Sequence, residues 1–270
     1  MRGHALRYAV NLSILFTELD LLDRPAAAKA AGFDAVEFWW PFSTATPRDA
    51  EVDAFVSASA DAGVQLVGLN FFAGDLAAGD RGVVSLPRRV DEFKASVDIA
   101  VEIGRRLNCP AFNALYGNRI DAASAAEQDA VAVGSLRYAA RAVADIGATV
   151  LLEPVSGIPS YPLRTAADVV AVLDRVGVPN IGLLADLYHL SVNGDDVAAA
   201  IDAYTDRVAH VQIADAPGRG EPGSGDLPLD DWLAALAGNG YAGYVAAEYK
   251  PTVTSAESFG WLPADARAAR

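Results

Sequence analysis

The stretch ATVLLEPVSGIPSYPLRTAADVVAVLDRVGVPNIGLLADLYH, residues 148–189, holds two short apolar runs with a helix-like segment between them. The runs ATVLLEPV and NIGLLADLYH are almost continuously aliphatic, the pattern of strands covered on both faces. Between them, TAADVVAVLDRVG carries apolar residues at helical spacing and closes on Gly177, as expected just past a helix C-terminus. Two strands joined through a helix run parallel, because only a crossover of that length brings the chain back to the same edge. The same alternation extends outward in both directions. RYAVNLS, DAVEFWW, VQLVGLNF and PAFNALYG precede this unit, and VAHVQIAD and GYVAAEY follow it, which brings the strands to eight. RPAAAKAAG, EVDAFVSASADAG, RVDEFKASVDIAVEIGRRLN and EQDAVAVGSLRYAARAVADIG supply further helices. Eight βα repeats in about 250 residues predict a (β/α)8 TIM barrel. A doubly wound open sheet competes, but no G-x-G-x-x-G follows an early strand. No linker or shift in composition marks a second domain, so residues 1–270 are read as one barrel with a short C-terminal tail from about residue 255.

Composition narrows the function. Of the 270 residues 52% are hydrophobic and 21% charged, an ordinary globular balance. A formal net charge of −14 argues against nucleic acid as a partner, since phosphate binding needs clustered Lys and Arg. The single cysteine, Cys109, excludes an internal disulfide and a cysteine-based zinc site, and reads as a small buried hydrophobe in a cytoplasmic protein. Basic residues before the apolar run near the N-terminus faintly imitate a secretory leader, but Asn11 and Ser13 interrupt it and it reads as a first strand. No run of about 18 apolar residues occurs, so no membrane-spanning helix is expected.

In a TIM barrel the chemistry gathers where strands end and βα loops begin. Four polar residues stand there: Glu153 in VLLEPV, Asp186 in LLADLYH, Gln212 in HVQIAD and Glu248 in VAAEYK. Alternation along a strand puts each on one face with the residue two places earlier, so all four can point into the barrel mouth. Singly, each could be an ion-pair partner or a helix cap. Together, three carboxylates and an amide oxygen call for a cation among them, and oxygen ligands suit one hard divalent ion, Mg²⁺ or Mn²⁺. Gln212 opens a glycine-rich loop, HVQIADAPGRGEPGSGD, that lacks the Gly-Lys-Ser/Thr of a P-loop. Gly218, Gly220, Gly223 and Gly225 give that loop freedom to close, and Arg219 offers a planar fork that matches a carboxylate.

The pieces NLSILF, GFDAVEF, AGDLAAGDRG, LLEPV, DLYH and HVQIADAPGRGEPGSG, in that order, resemble the hydroxypyruvate isomerase family of the xylose-isomerase-like TIM barrels. The resemblance runs from Asn11 to the EYKP that begins at Glu248. It implies divalent-metal ligands at Glu153, Asp186, Gln212 and Glu248, with Glu153 and Glu248 doubling as the acid/base pair, and substrate contacts from His189 and Arg219. It implies aldose-ketose isomerisation of a small sugar acid, hydroxypyruvate to tartronate semialdehyde, by proton transfer through an enediolate. The same pattern covers 2-oxo-tetronate isomerases, and a ketose 3-epimerase uses the same two-glutamate logic. A sugar-acid binding protein would keep the pocket without needing two opposed glutamates. Apurinic endonucleases of the superfamily rely on several histidines, whereas this chain has only His4, His189 and His210. A homo-oligomer is left open.

One departure stands out: where family members often read NLPAGD, this chain has NFFAGD, and Phe71 and Phe72 are expected to reshape the pocket wall. His210, one pleat deeper than Gln212, reads as a hydrogen-bonded core histidine and His4 as a terminal residue. Glu37 alternates inward and is either a site residue or a buried structural carboxylate. Lys250 is taken as a substrate-binding residue beside Glu248, with a solvated lysine as the alternative. Phe16, Trp39 and Trp40, with Phe71 and Phe72, either form an apolar wall or simply pack, the commoner role of aromatic residues near strand ends, and AGDLAAGDRG is either a second lid or a surface loop.

Overall fold

A computed structural model describes residues 5–268, so His4 lies outside the described residues. Eight strands, β1 (Arg7–Asn11), β2 (Ala35–Phe38), β3 (Gln65–Asn70), β4 (Ala111–Asn113), β5 (Thr149–Leu152), β6 (Ile181–Asp186), β7 (Val208–Ile213) and β8 (Tyr244–Ala247), alternate with helices. They pair in sequence order, all parallel, and β1 pairs with β8 to close the barrel. The helices are α1 (Arg24–Ala30), α2 (Asp49–Asp61), α3 (Val90–Leu107), α4 (Ala125–Ala144), α5 (Ala166–Val176), α6 (Leu187–Val192), α7 (Val197–Tyr204) and α8 (Leu229–Gly238). Helix α5 starts as its sequence suggests: Thr165 and Asp168 form a capping box, and Gly177 ends the helix in the left-handed conformation.

Alternation along the strands divides the core into layers. Residues facing the helices, among them Val10, Val36, Val150 and Val211, join the large cluster between strands and helices. Those facing inward form small clusters, Ala9, Ala35, Val67, Tyr244 and Ala246 in one and Ala111, Leu151 and Leu184 in another. At the C-terminal ends of the strands this interior becomes polar. Asn11 pairs in register with Glu37, and Asp186 with Gln212. Gly68 of β3 lies close under Glu37: an added Cβ would sit 3.2 Å from the inward-turned carboxyl and press on it.

Two segments depart from expectation. The strand read through DLYH stops at Asp186, whose Oδ1 accepts from the backbone N–H groups of Tyr188 and His189 and starts α6. The segment after about residue 255, for which only a tail was expected, packs on the barrel: Phe259 is fully buried against Phe16 and Phe33, and Arg267 donates to the carbonyls of Ala31, Phe259 and Leu262. Among the described residues no helix is long and apolar enough to cross a membrane.

Candidate active site

A cavity of about 390 Å³ opens at the C-terminal ends of the strands, lined by Trp39, Arg81, Glu153, His189, Arg219 and Glu248 among others. Glu153 follows β5 directly and Glu248 follows β8, so closure of the barrel brings both carboxyls to one cavity. Asp186 adjoins it through Oδ2, which lies 3.6 Å from His189 Nε2 and 3.8 Å from an Arg219 nitrogen. Gln212, beside Asp186 in register, is buried as well. Lys250 is exposed and does not line the cavity; its backbone N–H donates to the Arg219 carbonyl at 2.7 Å.

Three largely buried acids converge here. Glu153, Asp186 and Glu248 expose 8%, 2% and 5% of their surface, so their charges are poorly solvated. Burial, reinforced by the charges of Glu248 and Asp186, holds the Glu153 carboxyl well above the usual carboxylate range, although Arg219 and a hydrogen bond from Asn113 oppose the shift. Burial also raises Glu248, against the opposing pull of Arg219. One proton is therefore retained readily among these groups, which suits a pair that must pass one.

His189 has a defined tautomer. Its Nδ1 accepts from the Ser156 backbone N–H at 3.1 Å, so the ring proton of the neutral imidazole sits on Nε2, facing the cavity and Asp186. The Ser156 hydroxyl is 2.7 Å from the same Nδ1. Burial pushes the imidazole down to about 4, which keeps it a neutral hydrogen-bond donor near pH 7.

The loop after β7 brings Arg219 inward rather than leaving it free in solvent. Buried Asp215 gathers it by accepting from the backbone N–H groups of Ala216, Gly223 and Leu227. An added Cβ at Gly225 would come within 2.2 Å of the Ala216 carbonyl oxygen, so only glycine fits that turn. Arg219 itself has φ 58°, an uncommon backbone conformation for a side-chain-bearing residue. Its guanidinium donates to Glu248 Oε1 at 2.6 Å and to the Glu248 carbonyl at 3.2 Å, and it lies over the Tyr188 ring. Trp39 Nε1 donates to the same Glu248 oxygen at 3.1 Å.

Sequence reasoning underrated three cavity residues. Trp39 reads as an apolar wall or packing residue, not as a hydrogen-bond donor to Glu248. Ser156 had no signal beyond its place after a strand-end glutamate. Arg81 belongs to AGDLAAGDRG, whose Leu76, Ala77 and Arg81 all line the cavity, so this loop forms part of the wall. Arg81 is held by the carbonyls of Leu76 and Asp80. The expectation for Phe71 and Phe72 is corrected: neither lines the cavity, because Asn70 takes the inward position. Phe71 instead stacks on Phe112, and Phe72 packs beside Trp40 and Arg89.

Glu37 is satisfied within the protein. Its Oε1 accepts from Asn11 Nδ2 at 2.8 Å and Gln212 Nε2 at 2.6 Å, and its Oε2 pairs with His210 Nε2 at 2.6 Å. The oxygen of Gln212 is left buried with no hydrogen-bond partner, an arrangement that costs about 1 to 3 kcal/mol unless a ligand completes it. That orphaned oxygen and the crowded acids fit the donor set expected for a hard divalent ion. As they stand, Glu248 and Asp186 share the Arg219 guanidinium, and among the described residues no three His, Cys, Asp or Glu side chains are gathered as ion ligands.

Comparison with known proteins agrees with this architecture. The family model for xylose isomerase-like TIM barrels matches residues 25–264. A Streptomyces coelicolor protein provisionally named a hydroxypyruvate isomerase is 55% identical over 98% of both chains. The hydroxypyruvate isomerase of Escherichia coli is 32% identical over 95% of this chain and 98% of its own. The 2-oxo-tetronate isomerase of Cupriavidus necator is 34% identical over 95% and 97%. A crystal structure from Brucella melitensis, described as an AP endonuclease of family 2, superposes with a TM-score of 0.87 at 32% identity, covering 95% of this chain and 97% of that one.

Proposed function

Because the chain belongs to the hydroxypyruvate isomerase family of xylose isomerase-like TIM barrels and is an isomerase, we propose that it interconverts hydroxypyruvate and tartronate semialdehyde. The observation that carries this reading is one cavity lined by two buried glutamates, Glu153 and Glu248, and by two guanidinium groups, Arg81 and Arg219. The glutamates suit proton transfer between neighbouring carbons, and the guanidiniums suit an anionic substrate. In this direction one glutamate takes a proton from the hydroxymethyl carbon, C3, and the other delivers one to C2, while the C3 hydroxyl proton passes to the C2 oxygen, so that C3 becomes the aldehyde and C2 a secondary alcohol. The raised affinity of both carboxyls for protons allows one to be charged while the other is protonated, the state such a relay starts from. His189 donates from Nε2 to a substrate oxygen, and Trp39 orients Glu248.

Glu153, Asp186, Gln212 and Glu248 would hold a divalent ion, Mg²⁺ or Mn²⁺, which would supply a Lewis acid for the charge that builds on the substrate oxygens. Arg219, which donates to Glu248 Oε1, lines the same cavity and is placed to meet the substrate carboxylate.

The identity to a 2-oxo-tetronate isomerase favours a second substrate, one carbon longer. Proton NMR of the purified protein with each acid, and with neutral ketoses as controls, in the presence of Mn²⁺ removed before acquisition, tests the proposal. An aldehyde product from hydroxypyruvate is expected. Turnover confined to 2-oxo-tetronate transfers the assignment to that acid, and turnover confined to neutral ketoses overturns it.

A further inference from the structure

We propose that Glu37, which does not line the cavity, is the positioning residue that turns the side-chain oxygen of Gln212 toward the cation site. The inference rests on the divalent-ion reading above and assigns Glu37 a part in it. An amide is ambiguous by shape, since its oxygen and nitrogen ends occupy nearly the same space. Only an oxygen can ligate a hard cation, so a site built on Gln212 must fix which end faces it.

The network around Glu37 supplies that choice from backbone outward. The Ser13 backbone N–H can only donate, and it donates to Asn11 Oδ1 at 2.9 Å. Asn11 therefore turns its NH₂ the other way, onto Glu37 Oε1 at 2.8 Å. His210 Nε2, at 2.6 Å, engages the second carboxyl oxygen and fixes the plane of the group. Glu37 Oε1 then confronts Gln212 as an acceptor, and Gln212 must answer with its nitrogen, at 2.6 Å. The amide oxygen is left pointing away from Glu37, buried and without a partner. Strands β1, β2 and β7 hold these groups, so the orientation is built into the barrel wall rather than into a loop. Removing Glu37 Oε1 takes away the acceptor that the Gln212 nitrogen has in the fold.

Mn²⁺ alone is the probe, and affinity is read by electron paramagnetic resonance of the free ion during titration of the full-length protein. Glu37→Met keeps the length of the side chain and removes the acceptor, so Mn²⁺ affinity should fall about 10- to 100-fold, the usual effect of losing the group that orients a ligand. Glu37→Gln keeps an oxygen that can face Gln212 and should bind near the wild-type value. Gln212→Glu added to Glu37→Met makes both ends of residue 212 oxygen, so orientation no longer matters and affinity should return. A purely structural role for Glu37 predicts no recovery, because a carboxylate at residue 212 does not repair the wall.

Wild-type affinity in Glu37→Met, equal loss in Glu37→Gln, or failure of the double variant to recover each overturns the proposal. No Mn²⁺ binding by the wild type overturns the divalent-ion reading itself, and this inference with it. If Glu37→Met does not fold, the wild type still decides the matter. The chain has only three glutamines, Gln65, Gln128 and Gln212, so ¹⁵N-glutamine labelling resolves their side-chain NH₂ signals. Those of Gln212 should be protected from solvent exchange with and without Mg²⁺. Exchange as fast as at exposed Gln65 would overturn the proposal.

Discussion

Glu153→Gln should make the metal-free protein more stable relative to wild type as the pH rises, while removing most of its activity. The Glu153 carboxyl titrates near 4.5 when solvated and well above that in the fold, chiefly through burial and the nearby charges of Glu248 and Asp186. Below the solvated value both folded and unfolded chains carry the proton, and the substitution leaves pH dependence unchanged. Above it, the unfolded chain ionises freely and the folded chain does not, so wild type loses about 1.4 kcal/mol for each pH unit up to the folded value. A neutral amide loses nothing over the same window, and it keeps an oxygen for the hydrogen bond from Asn113. The difference in melting temperature between variant and wild type should therefore widen by about 3 to 5 °C per pH unit above 4.5, from typical unfolding entropies for a domain near this size. Thermal melts of chelator-treated protein between about pH 5 and pH 7 give the slope. A difference that stays flat, or that narrows as pH rises, would refute the claim that this carboxyl is held protonated by its surroundings. In the same variant kcat should drop by about 10²- to 10⁴-fold, the contribution of a positioned acid or base.

Chelation should abolish turnover, and Mg²⁺ or Mn²⁺ should restore it; full activity in protein shown to be metal-free by elemental analysis would remove the divalent ion from the reading. Arg219→Lys should reduce kcat/KM on acidic substrates by about 10- to 100-fold, since a charge-assisted fork is worth about 1.5 to 3 kcal/mol, and should affect neutral ketoses less. An equal loss on both would leave Arg219 a loop anchor. His189→Phe removes both the Nε2–H and the Nδ1 acceptor of Ser156, so kcat/KM should fall sharply while the melting temperature drops by only a few degrees; a loss of stability with kcat/KM unchanged would mark the histidine as structural. Turnover in D₂O should place carbon-bound deuterium at C2 of the product, because a proton resting on a glutamate can exchange with solvent, and complete retention of the original hydrogen would point to direct hydride transfer.

The barrel was legible because its signal is local: aliphatic runs, helical spacing and glycine stops each lie within a few residues of one another. The strand-end acids were legible because alternation has a period of two, and Glu153, Asp186, Gln212 and Glu248 all keep to it. Reading failed where the outcome depends on which partner a side chain meets after folding. The apolar run through Asp186 does not reveal that the Asp186 side chain turns back to start α6. Glycines around Arg219 suggest a free lid, yet Asp215 collects the loop's N–H groups and Arg219 reaches Glu248 at the end of the neighbouring strand β8. Phe71 and Phe72 looked like wall residues because their substitution stands beside a loop that does line the cavity. Asn70 holds the inward position and sends Phe71 to Phe112.

Glu37 and Glu153 make the same point about chemistry. Both are inward-facing acids near the C-terminal end of a strand, and a pattern of alternation cannot tell them apart. What separates them is the count of donors each finds after folding. Three side chains, Asn11, Gln212 and His210, turn polar hydrogens to Glu37, so it can stay in the wall with no ion of its own. Glu153 receives only Asn113 Nδ2, while the charges of Glu248 and Asp186 press on it and one guanidinium is shared among the acids. The unbalanced charge is thus confined to the cavity, where an incoming cation or a transferred proton relieves it. Small interior residues such as Ala9, Ala35 and Ala246 fit the same division, because they leave the strand ends to be filled by polar side chains rather than by a packed apolar plug. The cavity therefore owes its reactivity to an incomplete network standing on a complete one. Filling the network at Glu153, as an amide does, should strengthen the fold and silence the chemistry together.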